Sequence, residues 1–412
     1  MICAAAGVLL LTAVYSIHSK QIEINVKKST VDTLKQEGLY PEITHTATSY
    51  LDNWTDSIML GSAAYHSEDS AVRNAMLVRR YASGENPLEA LVNWAEKDSF
   101  DYVDEYPQYW HGYLVVLKPL LCLTDYAGIR ELNAAIQMIL TFVTASLLWR
   151  RGRKNYIIPY FLSMGMLMPI ALAKSLQYSS CWYVFTVAMI ALLLIRDEKK
   201  QPFVFLFSGI ALAFFDFLTY PISTFGIPMV LCLILNLEKH GKSLLKMSVS
   251  NLLLWIVGYA GMWGSKLFVG WLFTGTDQLT AAGNHVFHWF DGDRWYSLSY
   301  VLYFNIRDFI YTPVTFLCIV FFLYCLFQIR KKRKTGAKLR WNQIWAFVLV
   351  AVLPFIWYLF LFNPSGMHHF FTNKACVVTA FSILSMMVSL FDDDVKERRQ
   401  CQAAQSPVSW FG

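Results

Sequence analysis

Just over half of the carboxylates of this chain sit in one polar stretch, Ser19 to Gly112. Within it, Leu51-Asp52-Asn53-Trp54-Thr55-Asp56-Ser57 sets two carboxylates four residues apart, so on a helix they share a face. One of such a pair can take the proton of an acceptor hydroxyl while the other orients the acceptor or holds a divalent cation. The plainer alternative is that Asp52 caps a helix beginning near Asn53. Further on, Asp101, Asp104 and Glu105 are second choices for a base, or a solvated acidic turn ahead of Pro107. Asn53-Trp54-Thr55 fits the glycosylation sequon, a triplet that recurs by chance.

The rest of the chain exists to position such groups at a membrane. Hydrophobic residues make up 56% of it and charged residues 16%, far from a soluble domain's balance. Several apolar runs approach the ~20 residues that cross a bilayer core, with charge clusters only at their ends. The spacing predicts an all-α polytopic protein of about ten transmembrane helices with a long, partly helical first extracytoplasmic loop. Residues 1–17 form the first span and 18–112 the loop, with helices expected over Ser70–Tyr81 and, behind an Asn86 cap, Pro87–Ala95. Residues 113–391 hold about nine further spans and a second outer segment at 274–308. Residues 392–412 form a tail. Trp110 to Leu123 is too short to cross and reads as interfacial or re-entrant.

Basic clusters orient the spans. Arg150-Arg151-Gly152-Arg153-Lys154, Arg196 to Lys200, Glu238 to Lys242 and Arg330 to Lys334 fall at every second connection. With ten spans they share one side, which the positive-inside rule makes cytoplasmic, so both termini lie inside at the cell membrane. The net charge of +6 is mild, the basic residues form short juxtamembrane clusters, and nothing resembles a nucleic-acid-binding pattern. The eight cysteines include no CxxC pair and none in the polar loop, so neither a disulfide framework nor a zinc site is indicated.

Against that orientation some polar residues lie on the unexpected side. Lys118, Lys174, Lys266 and Lys374 stand near the outer ends of apolar segments, with Asp216, His111, His368 and His369 at similar depth. Each lysine alone could snorkel to the headgroups. Together they suggest a site for an anion, and the natural anion there is a lipid phosphate. His285 and His288 form a His-x-x-His pair beside Arg294, a weak metal pattern without a matching carboxylate.

A first helix, a carboxylate-bearing outer loop and alternating helices with short loops together resemble the GT-C membrane glycosyltransferases. Tyr109-Trp110-His111-Gly112-Tyr113, Lys118-Pro119-Leu120-Leu121, Ile129-Arg130-Glu131-Leu132-Asn133, Gly258-Tyr259 with Trp263 and Lys266, and His368-His369-Phe370-Phe371-Thr372 are also similar to segments of uncharacterised membrane proteins of Gram-positive bacteria. The GT-C resemblance implies an enzyme moving a sugar from a polyprenyl-phosphate donor to an extracytoplasmic glycan or lipid acceptor. On that reading Asp52 or Asp56 is the base, and Lys266, His368 and Lys374, backed by Lys118 and Lys174, hold the departing phosphate, so Asp52→Asn abolishes transfer. The GT-C family carries its carboxylate close behind the first helix, whereas here no aspartate precedes Asp32. Two alternatives share the same face: a polymerase or ligase acting on lipid-diphosphate glycans through arginine and histidine, and a transporter or flippase for the lipid-linked substrate.

Overall fold

The computed structural model describes residues 1–84, 86–239, 241–278, 280, 283, 296–335 and 341–392. His285, His288, Arg294 and the tail beyond Asp392 lie outside the described residues.

Apolar α1 (Ile2–Tyr15) turns through 86° into α2 (Lys20–Glu37), whose start is capped by the Ser19 hydroxyl accepting from Gln21 N at 3.2 Å. An irregular stretch carries the bridge between Glu42 and Tyr50 and leads to α3 (Asn53–Ala64). Ser70 caps α4 (Ala71–Leu77), but the helix expected to Tyr81 stops there: Val78 adopts a left-handed conformation and the chain continues as β1 (Arg79–Ala82). After α5 (Pro87–Lys97), capped by Asn86 as expected, β2 (Tyr102–Glu105) pairs antiparallel with β1. The register sets Arg79 opposite Glu105 and Arg80 opposite Asp104, and both pairs close as salt bridges at 2.8 and 2.5 Å. Two of the three second-choice carboxylates are thus cross-strand partners of arginines.

The apolar part follows as α6 (Leu114–Leu121), α7 (Tyr126–Arg150), α8 (Ile157–Met166), α9 (Pro169–Lys174), α10 (Leu176–Leu194), α11 (Gln201–Phe215), α12 (Ser223–Leu235), α13 (Gly241–Thr274), α14 (Leu298–Ile310), α15 (Pro313–Lys334), α16 (Ile344–Phe360), α17 (Phe362–Met367) and α18 (His369–Phe391, with a 3₁₀ turn at Asn373–Cys376). Among the described residues, five helices are long and apolar enough to cross a membrane, and six if the bent α1–α2 pair is one span. The difference from ten has local causes. The span expected over Tyr156–Ala173 is broken at left-handed Met168 ahead of Pro169, and α11, α12 and α16 are 15, 13 and 17 residues long. On α15, Phe316, Leu317, Ile319, Leu323 and Phe327 point outward, an apolar face suited to lipid.

Two apolar cores organise the chain. One fills the bundle from Ala145 to Leu390; the other joins α1 to the polar segment and reaches Phe214 and Met262 on α11 and α13. Close contact between α11 and α13 depends on two glycines. A Cβ on Gly209 would stand 2.1 Å from the Trp255 carbonyl oxygen, and one on Gly258 2.2 Å from that of Leu206. Small residues at such crossings let helix backbones approach where lipid supplies no hydrophobic drive.

Candidate functional site

The polar segment meets the helices along residues 37–56, and there the structure gathers part of what the sequence singles out. Asp52 is the N-cap of α3: its Oδ1 accepts from Thr55 N at 3.0 Å and its Oδ2 from the Thr55 hydroxyl at 2.9 Å. Burial pushes its carboxyl up to about 7, against those hydrogen bonds, with Asp56 adding repulsion. Asp56, one turn on, accepts from the Tyr126 hydroxyl, from Leu176 N at 3.0 Å and from Gln177 N at 3.1 Å. It therefore caps α10 from outside, meeting two of the amides that a helix start leaves open. Burial raises it to about 6 despite these donors. At 0% and 2% exposure, Asp56 and Asp52 present no oxygen to a ligand. Beside them Arg130 of α7 binds Glu37 at 2.7 Å and the Asn53 side chain at 3.1 Å. Glu37, although burial pulls upward, is held below its ordinary value by Arg130, Asn53 and the nearby Lys174 charge. Asn53 is itself buried, so the sequon's acceptor faces inward.

The same junction takes in His368, His369 and Lys374. Lys374 Nζ donates to the Thr48 carbonyl at 2.6 Å and lies 4.7 Å from the Tyr178 ring centroid. Thr48's hydroxyl donates to the Asp308 carbonyl, tying α14 to the polar segment. His369 Nδ1 lies 2.5 Å from Asp308 Oδ2, and Arg307 grips Oδ1 from Nε at 2.8 Å. His368 stacks on Phe371, and burial, with the neighbouring His369, lowers it to about 4. Tyr40 packs against Phe370 and closes the group from the polar side.

The other candidates lie elsewhere, and the expected convergence of lysines is corrected by what each ammonium touches. Lys118 donates to the Ala63 carbonyl at 2.8 Å, in the last turn of α3. Lys266 donates to the Met76 carbonyl at 2.7 Å, in the last turn of α4. Both meet main-chain oxygens that a helix end leaves without partners, where the backbone dipole favours a cation. Lys374 does the same for a 3₁₀ turn. These three lysines fasten the polar segment to the bundle at three separate points. His111 is buried with both ring nitrogens engaged: Nε2–H donates to the Tyr106 carbonyl at 2.7 Å, and Nδ1 accepts from the Tyr113 hydroxyl at 3.1 Å. Burial, with the Lys266 charge, drives it down to about 3. Asp216 closes a turn on Thr219, accepting from its amide and hydroxyl at 2.8 Å. Lys174 differs from the rest. It is exposed, and its ammonium has no hydrogen-bond partner among the described residues, although its carbonyl accepts from Tyr126 at 3.0 Å.

Between α6, α7, α10 and α11 runs an apolar groove of about 1000 Å³, from Met59, Tyr113 and Leu176 at the polar segment to Ile195 and Lys200. Leu176 to Ile195 covers ~28 Å at 1.5 Å per residue, close to the thickness of a bilayer's hydrocarbon core. At the polar end Asn133 binds the Ser179 hydroxyl at 2.7 Å, accepts from Tyr183 at 2.6 Å and donates to the carbonyl of Ala173, the residue before Lys174. Among the described residues no three His, Cys, Asp or Glu side chains converge on a common point that could hold a metal ion.

Sequence reading passed over Asp308, Glu37, Tyr126 and Tyr178, and treated Arg130 only as part of a segment. Asp308 is invisible as a partner because His369 lies 61 residues away. The adjacent Arg307-Asp308 at the end of an outer segment was the available signal.

Fold and site together define a mostly helical protein of membrane type whose polar segment is fastened to the bundle by buried lysines that donate to its main-chain carbonyls. No protein-family model, no curated protein and no solved structure matches the chain.

Proposed function

We propose that the protein is a membrane glycosyltransferase that moves a sugar from a polyprenyl-phosphate carrier to a glycan or lipid acceptor outside the cell membrane. The groove carries this reading. It is mostly apolar, as long as a bilayer core is thick, and carries a polar trio near Lys174, an exposed lysine with no hydrogen-bond partner among the described residues. An ordinary acyl chain fills one leaflet, ~15 Å, whereas a long isoprenoid can occupy the whole groove. Its phosphate then reaches the headgroup level next to Lys174, a compact cation able to neutralise the charge released on transfer. In this arrangement the chain crosses ten times, with α12 sheltered inside the bundle, both termini and the basic clusters in the cytoplasm, and the polar segment outside. Lys118, Lys266 and Lys374 then serve to hold the loop in place.

The test is the protein in lipid nanodiscs with a radiolabelled polyprenyl-phosphate hexose and mixed sugar and lipid acceptors. Appearance of labelled glycoside with release of polyprenyl phosphate supports the reading. Intact donor after prolonged incubation overturns it, and donor carried unmodified across a vesicle membrane makes the protein a transporter. One observation favours a second donor type: the half-exposed guanidinium of Arg307 beside His369 suits the larger charge of a lipid diphosphate. The same assay with diphosphate-linked glycans decides between the two.

A further inference from the structure

Resting on that transfer reading, we propose that His369, oriented by Asp308, is the proton acceptor of the reaction. The arrangement has three parts. Asp308 is 1% exposed, its Oδ2 2.5 Å from His369 Nδ1 and its Oδ1 held by Arg307. A carboxylate in that position fixes Nδ1 as the protonated nitrogen and leaves the Nε2 lone pair outward. Nε2 has no hydrogen-bond partner among the described residues, and the side chain is 23% exposed. A histidine that merely tied α14 to α18 would have no need of an open second nitrogen. His111, with both nitrogens engaged and 1% exposure, is what such a structural histidine looks like in this same protein.

The surroundings suit a sugar. Tyr300, Phe304 and Arg307 follow one another at turn spacing along α14, and the Phe304 and Tyr300 rings stand 5.0 and 6.3 Å from the imidazole. Arg307 lies 4.3 Å from the Phe304 ring centre. An aromatic shelf beside a charged, hydrogen-bonding edge matches a pyranose, which has an apolar face and a hydroxylated rim. In the step itself Nε2 takes the acceptor's hydroxyl proton as the oxygen attacks the anomeric carbon. The bond from that carbon to the phosphate oxygen breaks, its electron pair leaves with the polyprenyl phosphate, and the imidazolium returns its proton to solvent. The Asp308 carboxylate balances the imidazolium charge, the role such a residue plays in histidine-based acyl transfer.

The experiment compares wild type, His369→Gln and His369→Gly in nanodiscs with the labelled polyprenyl-phosphate hexose, with and without added imidazole. Glutamine keeps a side-chain N–H for Asp308, so the fold is retained; a thermal midpoint close to wild type checks this. The expected result is a loss of ~10²–10⁴-fold in kcat for both variants, the range general-base removal produces, with imidazole restoring part of the rate in His369→Gly alone. Wild-type kcat in a folded His369→Gln, or His369→Gly indifferent to imidazole, overturns the assignment and leaves the transfer reading standing. A wild-type protein that never cleaves the donor overturns both.

Discussion

Asp52→Asn is the substitution in which two roles for one residue part company. The folded protein keeps the Asp52 carboxyl protonated to about pH 7, while in the unfolded chain it ionises near 3.8. Between those values the folded form binds more protons, so the contribution of this group to stability falls as pH rises and is fully lost above about 7. The difference of about three units corresponds to ~4 kcal/mol at 1.36 kcal/mol per unit. Asparagine removes both the desolvation of that charge and its repulsion with Asp56, so Asp52→Asn returns up to ~3–4 kcal/mol above about pH 7. Asparagine is as good an N-cap as aspartate, its oxygen still accepting from Thr55 N while its amide donates to the Thr55 hydroxyl. Thermal unfolding in nanodiscs at about pH 5 and about pH 8 reads the effect. Wild type loses stability across that interval; the variant loses less and unfolds several degrees above wild type at the alkaline end. Parallel pH curves, or a variant less stable at the alkaline end, would refute the reasoning. Sugar transfer by the folded variant persists if Asp52 is a cap, and its loss would restore Asp52 as the base.

The remaining predictions concern the groove, the lysines and the helix crossing. Ala191→Trp fills the groove toward its Ile195 end and lowers kcat/KM at least tenfold for long-chain polyprenyl donors while sparing short-chain analogues, by the labelled-sugar assay. Lys118→Met leaves the Ala63 carbonyl buried and unpaired, costing ~1–3 kcal/mol and speeding limited proteolysis of the 65–70 turn, with the donor's KM unchanged. Lys174→Met raises that KM without altering the thermal midpoint. Gly258→Val drives a side chain into the Leu206 main chain and costs ~3 kcal/mol or more, whereas Gly261→Ala, three residues on with open space around it, leaves the midpoint within ~0.5 kcal/mol of wild type.

Composition and periodicity made the helical membrane character legible, because apolar runs ending in basic clusters have few other solutions. Local capping was legible too: Asn86 before Pro87 and the option that Asp52 caps α3 both follow from short-range chemistry. The number of full-length spans was not. α12 is 13 residues long and buried almost throughout, and α8 stops at a break ahead of Pro169. A helix sheltered by its neighbours need not meet the length that lipid exposure demands, so hydropathy alone cannot separate the two cases. Only part of the site emerged. His369 and Lys374 are tied, through Asp308 and the Thr48 carbonyl, to the stretch just before Asp52, while Lys118, Lys266, His111 and Asp216 are held elsewhere by partners that local spacing does not reveal.

The lysines show why scarcity of charge at membrane depth signals a partner without naming it. A cation in a greasy segment is costly, and the cost is met by any fixed negative group, whether a ligand phosphate or the carbonyl end of a helix. Ala63 and Met76, in the last turns of α3 and α4, offer the second kind, in a loop that must lie against the bundle with its helix ends buried. Once those carbonyls satisfy Lys118 and Lys266, the same cost argument singles out the groups left unsatisfied. Among the described residues the Lys174 ammonium and His369 Nε2 have no hydrogen-bond partner, and the proposed transfer therefore assigns the substrate's charge and proton to them.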